Sequence, residues 1–322
     1  MLVSSKKVVQ RWKIPVDLGG IRADHYLVHH IGRISRTKAR QIIESGDFRL
    51  EKSPLKPSKR LHPGDLVELW RVPPDSPKID AIQIPVVYED DHILVINKPG
   101  NLAIHPSARY LYQTLTHWLK VHYPGQSVHP CHRLDRETSG ILICAKTREA
   151  QSQIKRAFQN GEIRKVYLAL VEGRMAQPVT STRPLALQGD RGLVAIKMIE
   201  DTIGGLPCKT EITPLRYDPV YNWTLVQCEP KTGRQHQLRA HLALEGYPIA
   251  GDKLYGMGEE FFDAYTRSEA NLTLLPLPRQ ALHAQRIHFE LDGVEHVFEA
   301  HHPFFDAFRL GEYLPNTNLG HF

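Results

Sequence analysis

One stretch of this 322-residue chain sets a carboxylate between two arginines: His132-Arg133-Leu134-Asp135-Arg136-Glu137-Thr138-Ser139-Gly140. It runs directly into the apolar segment Ile141-Leu142-Ile143-Cys144-Ala145, so Asp135 is expected in a loop just ahead of a buried strand. A rigid strand edge can hold one carboxylate toward a cleft. Arg133 and Arg136 favour its ionised form, which is the form a nucleophile needs. Thr138 and Ser139 suit hydrogen bonds to loop backbone, and Gly140 suits a turn. The chemistry on offer is attack or proton removal by an anion; an ordinary charged loop with local ion pairs is the plainer alternative.

A second stretch is Lys231-Thr232-Gly233-Arg234-Gln235-His236-Gln237-Leu238-Arg239-Ala240-His241-Leu242. The pattern predicts a helix from Gly233 to about Glu245, with Gly246 as its C-terminal stop. On that helix Gln235, Leu238, Arg239 and Leu242 share a stripe, which puts a guanidinium beside the apolar face. A buried, unpaired charge costs several kcal/mol, so Arg239 should find a carboxylate. The helix supplies none at a favourable spacing on that face, and Asp135 is the obvious candidate. The plainer alternative is an Arg239 stem that covers the core while its head reaches water.

Other chemistries have little to stand on. Zinc-dependent deamination needs H-x-E and P-C-x-x-C, but Pro130-Cys131 is followed by His132-Arg133-Leu134 with no second cysteine. The His29-His30 and His301-His302 pairs lack partners at i, i+4 that would complete a metal site. No G-x-G-x-x-G fingerprint and no P-loop is present. Cys131, Cys144, Cys208 and Cys228 form no C-x-x-C pair, and Cys131 reads as a small buried hydrophobe.

The elements that must position these residues follow from composition and pattern. Hydrophobic content of 41% with 24% charged residues is globular composition, and the length allows one large or two ordinary domains. No apolar run approaches the roughly 20 residues of a membrane helix. With no secretory leader recognisable, a cytoplasmic chain with reduced thiols is expected. Residues 1–71 hold 15 Lys+Arg against 7 Asp+Glu, so the whole net charge of +6 belongs to the first fifth of the chain. Val72-Pro73-Pro74-Asp75-Ser76-Pro77 cannot continue a helix or a central strand, and the linker is placed at 72–86.

In the basic front segment Ser35 suits the N-cap of a helix over about 36–45, with Ala39, Ile42 and Ile43 inward and Gly46 as its stop. Arg36, Lys38 and Arg40 lie off that stripe, with Arg33 just before it. A preceding helix over about 22–31 and a short strand at Leu66–Trp70 complete a compact platform for phosphates. Beyond residue 87 short strands outnumber helices without regular βαβ alternation. That predicts an α+β domain on a mixed, mostly antiparallel sheet, with flanking helices at about 149–159 and 235–245.

The order ISRTKARQIIESGDF then LHPGDLVEL resembles the small αL RNA-binding motif shared with the ribosomal S4 protein family. HRLDRETSG and GRQHQLRAH resemble the signature segments of RluA-type pseudouridine synthases. Asn97-Lys98-Pro99-Gly100, Lys165 to Gly173, Gly246 to Gly256 and Gln280-Ala281-Leu282-His283-Ala284 extend the match over most of residues 87–305 in family order. The resemblance implies an S4-like domain over 1–71 and a catalytic domain over 87–322 that isomerises uridine in structured RNA. By position it makes Asp135 the catalytic aspartate, Arg239 its basic partner, Tyr167 the family's tyrosine and Leu238 the aliphatic residue beneath the uracil. Arg133 resembles the residue that fills the place of the flipped base, and His132, Arg234 and Lys98 line the site or contact backbone.

That isomerisation changes no oxidation state and loses no atom, so no cofactor and no metal is expected. RNA is the expected partner, ribosomal RNA of the large subunit first and transfer RNA next, for a monomeric protein. The alternative from another class is a non-catalytic RNA-binding or ribosome-assembly protein.

Overall fold

The computed structural model describes residues 7–31, 36–71, 79, 82–106 and 113–311. The chain divides into two compact units, with a boundary between Lys78 and Ile79.

The first unit holds β1 (Lys7–Lys13), α1 (Ala23–Ile31), α2 (Arg36–Glu44), β2 (Phe48–Leu50), β3 (Ser53–Pro54) and β4 (Leu66–Arg71). Its four strands pair antiparallel in the order β1-β4-β2-β3. Ala23 and Leu27 of α1 and Ala39, Ile42 and Ile43 of α2 pack on Phe48, Leu61, Val67 and Leu69. α2 thus buries the stripe expected of it, and α1 adds Ala23 and Leu27. Ser35 and Arg33 lie outside the described residues, whereas Lys38 falls on α2.

The second unit begins with β5 (Val86–Glu89), β6 (Ile93–Lys98), α3 (Leu115–His122), β7 (His129–Pro130), β8 (Ser139–Ala145), α4 (Arg148–Asn160) and β9 (Arg164–Glu172). β10 (Val179–Ser181), β11 (Leu185–Leu187), β12 (Met198–Glu200), β13 (Thr210–Asp218), β14 (Trp223–Pro230) and α5 (Gln237–Leu244) follow. α6 (Glu259–Arg267), β15 (Leu282–Leu291), β16 (Val294–Glu299) and α7 (Pro303–Leu310) end it. Its large sheet runs β10-β13-β14-β9-β15-β8-β6-β5, with β16 on β15 and β7 on β8. Among the described residues β15 and β8 are its one parallel pair, so the sheet is mixed and mostly antiparallel, as expected.

β8 reads as a continuous apolar run because both of its faces are covered. Ile141, Ile143 and Ala145 face one cluster with Ala150, Ile154 and Ala157 of α4. Leu142 and Cys144 face another with Leu115, Trp118 and Leu119 of α3. Thr147 caps α4 by accepting the Ala150 N–H at 3.1 Å, and Gly161 ends it in the left-handed region. β8 is therefore fixed from both sides, which makes the loop before it a rigid mount.

Gly140 serves a purpose other than the turn expected of it. It is the second residue of β8, at φ +114°, where β15 runs alongside in parallel. A Cβ there would fall on the Ala284 carbonyl oxygen and 2.6 Å from the Ala284 nitrogen. The close approach of two backbones, not a reversal of chain direction, requires glycine.

Candidate active site

Asp135 sits in the loop between β7 and β8, with 21% of its side chain exposed. Arg239, on α5, donates through Nη1 to Asp135 Oδ2 at 3.0 Å. The two residues that the sequence suggested as partners are thus brought into contact across 104 residues of chain. They line one cleft of about 920 Å³ together with Tyr167, Leu238, His132, Arg133 and Arg234.

The helix that carries Arg239 is shorter than expected. It begins at Gln237, and the four residues from Gly233 form its approach, with His236 in the left-handed region at φ 50°. The Gln237 side chain stabilises this turn: its Oε1 accepts from Thr232 Oγ1 at 2.8 Å and from the Arg234 N–H at 3.0 Å. Gln235 consequently lies off the helical stripe and donates to the Ile196 carbonyl at 3.1 Å.

Arg239 has a second partner that sequence reasoning missed. Asp252, with no exposed surface, accepts from Nε at 2.7 Å and from Nη2 at 3.0 Å. Asp252 Oδ1 also accepts the Leu254 and Tyr255 N–H groups at 2.9 and 3.0 Å. Its carboxylate is therefore saturated and its geometry fixed. The available signal was an acid set among apolar and glycine residues in Ile249-Ala250-Gly251-Asp252, where a buried charge needs a cation. Tyr255 adds its ring face to the guanidinium, 5.0 Å from its centroid, and its hydroxyl meets His236 Nδ1 at 3.1 Å.

These contacts set the charge states. Burial alone would raise the Asp135 carboxyl, but His236, Arg239 and Arg133 outweigh it and bring it down to about 2. Burial and the nearby Arg239 push His236 down to about 4. Near neutral pH His236 is therefore uncharged, and the guanidinium is what keeps Asp135 an anion. Burial, then the neighbouring Asp135, raise the Tyr167 phenol, so it keeps its proton. The His132 ring accepts the Ile143 N–H through Nε2 at 3.0 Å, and burial holds it neutral.

Lys98, expected to line the site or contact backbone, does not take the first of these places. It is fully buried and absent from the cleft wall, and its ammonium donates to the carbonyls of Pro99, Leu102 and Arg136 at 2.8, 3.0 and 3.2 Å. Three donors meet three acceptors, so Lys98 ties the residue after Asp135 to the end of β6. Glu137 anchors the same loop by accepting from Lys253 Nζ at 3.0 Å and from the Gln280 N–H at 3.1 Å. Among the described residues no group of acids, histidines and cysteines could hold a metal ion.

A mostly antiparallel sheet thus holds one ionised aspartate against an arginine, with a tyrosine and a leucine in the same cleft. The profile described as RNA pseudouridylate synthase matches residues 92–244, which include Asp135, Tyr167 and Arg239. The chain is 30% identical over 306 residues to the ribosomal large subunit pseudouridine synthase C of Vibrio vulnificus, covering 92% of this chain and 93% of that one. It is 32% identical over 308 residues to the protein of the same name from Vibrio cholerae, with the same coverage. The solved human RNA pseudouridylate synthase domain-containing protein 1 superposes with a TM-score of 0.55 at 27% identity, over 72% of this chain and 86% of that one. The chain belongs to the RNA pseudouridylate synthase family. It is an isomerase that converts uridine in RNA to pseudouridine.

Proposed function

We propose that the protein isomerises specific uridines of large-subunit ribosomal RNA, with Asp135, Arg239 and Tyr167 as its catalytic residues. The observation that carries the assignment of residues is the contact of Arg239 Nη1 with Asp135 Oδ2 at 3.0 Å inside the cleft. The choice of RNA is supported by the name shared by the relatives from Vibrio, which the chain matches over 92% of its length.

In the reaction the N1–C1′ bond of uridine breaks, the uracil turns, a C5–C1′ bond forms, and the proton on C5 leaves while N1 gains one. Asp135 is the anion that attacks or takes a proton, and Arg239 keeps it ionised where water is scarce. Tyr167 lies beside the uracil, with a protonated hydroxyl able to relay the C5 proton, and Leu238 packs beneath the base. The target is unreachable inside a stacked helix, so the uridine is flipped out at a cost of a few kcal/mol. Arg133 at the cleft wall fills the vacated place, and His132 and Arg234 line the approach.

The first unit is read as an S4-like RNA-binding domain over residues 1–71, with 72–86 as linker and 87–322 as the catalytic domain. Arg33, Arg36, Lys38 and Arg40 supply its phosphate contacts, which position RNA without reading its sequence. The protein acts as a cytoplasmic monomer; no helix among the described residues is long and apolar enough to cross a membrane. Mapping of pseudouridine in total RNA from a deletion strain and its parent tests the target. Loss of sites confined to large-subunit ribosomal RNA is expected, and loss confined to transfer RNA would overturn the choice of RNA.

A further inference from the structure

Asp24, in the first turn of α1, is a carboxylate with no exposed surface. Three arginines converge on it. Arg22 forks onto it, Nε to Oδ1 at 3.0 Å and Nη2 to Oδ2 at 3.0 Å. Arg36 reaches Oδ2 through Nε at 3.2 Å, and Arg40 brings its Nε to 3.5 Å from the same oxygen. Arg36 and Arg40 stand four residues apart on α2, so their side chains share one face. The arginine side chains remain 30%, 52% and 51% exposed. Burial would raise the Asp24 carboxyl, but Arg22 and Arg36 hold it far below the usual carboxylate range.

The arrangement is one buried anion beneath three guanidiniums, an excess of two positive charges open to solvent. A free surface arginine loses rotamer entropy when it grips a phosphate. Here the Nε edges of Arg36 and Arg40 are already turned inward on the carboxylate, so their planar forks are oriented before any ligand arrives.

We propose that Asp24 is a positioning residue that gathers Arg22, Arg36 and Arg40 into a preformed site for an RNA phosphodiester. The proposal rests on the reading that the first unit holds RNA, and it adds Arg22 and Asp24 to that surface. It makes a prediction opposite in sign to simple electrostatics, because loss of a negative charge should weaken binding to a polyanion.

The test measures affinity of the full chain for a transcript of large-subunit ribosomal RNA across a salt series. Asp24→Asn is expected to bind several-fold more weakly than wild type, although it is more positive by one charge. Arg22→Lys keeps both the total charge and a partly exposed position, so it decides the matter should Asp24→Asn disturb the fold. It is expected to weaken binding by a similar factor, since an ammonium cannot fork. The Arg36→Gln/Arg40→Gln double variant is expected to weaken binding and lower the salt slope by about 1 for each phosphate no longer neutralised. Unchanged or tighter binding by Asp24→Asn and Arg22→Lys, with the double variant weakened, would overturn the proposal while the first unit still holds RNA. Undiminished binding by the double variant would instead remove the reading on which the proposal rests.

Discussion

Asp252 holds Arg239 by its Nε–Nη2 edge at 2.7 and 3.0 Å, which leaves only Nη1 to face Asp135. The guanidinium is thus a rigid bridge between a fully buried carboxylate and a partly exposed one. Asp252 settles where the charge sits, and Asp135 receives it.

Asp252→Asn should therefore damage both stability and turnover. Removing one partner of a buried pair costs about 3–5 kcal/mol. Urea denaturation should report a loss of that order, and single-turnover assays should show slower isomerisation with RNA affinity retained. A variant as stable and as fast as wild type would show that Arg239 needs no second anchor.

Arg239→Lys tests the bridge from its other side. An ammonium cannot meet Asp252 through two bonds and Asp135 through a third. The rate of isomerisation should fall on the order of 100-fold, the scale of losing one aimed donor at a charged site. Pseudouridine formation followed with a tritium-release assay gives the number.

The second unit should lose stability in mild acid. Burial holds His236 and His283 near 4, and His132 and His302 near 3. Each has a folded pKa below the unfolded value of about 6.5, so the unfolded chain binds more protons and stability rises with pH. The contribution is complete above about pH 6.5 and is lost progressively as pH falls toward 4 and 3. Asp135, lowered to about 2, adds a loss confined below the ordinary carboxylate range of about 4. Thermal melts between pH 7 and 4 should show the decline, whereas kcat/KM should show no acid limb from Asp135 above about pH 4.

Gly140→Ala should strain the start of β8. The added methyl group collides with the Ala284 backbone at a residue with φ +114°. A cost of about 1–3 kcal/mol from the backbone conformation alone is expected, with the collision added to it. Melting temperature and turnover should fall together, because the loop that carries Asp135 ends at this strand.

Much of this architecture is written in local pattern. The run from Ile141 to Ala145 announces a strand covered on both faces, and the polar loop before it announces the mount for Asp135. The meeting of Asp135 with Arg239 was legible because a guanidinium on an apolar stripe needs a carboxylate. What escaped were relations between distant segments. Asp252 reaches Arg239 from 13 residues onward, beyond the end of α5, which no helical spacing encodes. The role of Gly140 depends on β15, more than a hundred residues onward. The late start of α5 arises from the Gln237 side chain closing a turn, a choice that composition leaves open. Arg36 and Arg40 were recognisable as cations, but Asp24 beneath them was not recognisable as their organiser.

Asp135→Asn, assayed on a ribosomal RNA transcript for pseudouridine by chemical mapping and for binding by filter retention, tests the role of this carboxylate most directly. The amide keeps the shape of the side chain and removes its charge. Pseudouridine should fall below detection while the RNA is held about as tightly as by wild type. Turnover at the wild-type rate would contradict the claim that this carboxylate performs the isomerisation.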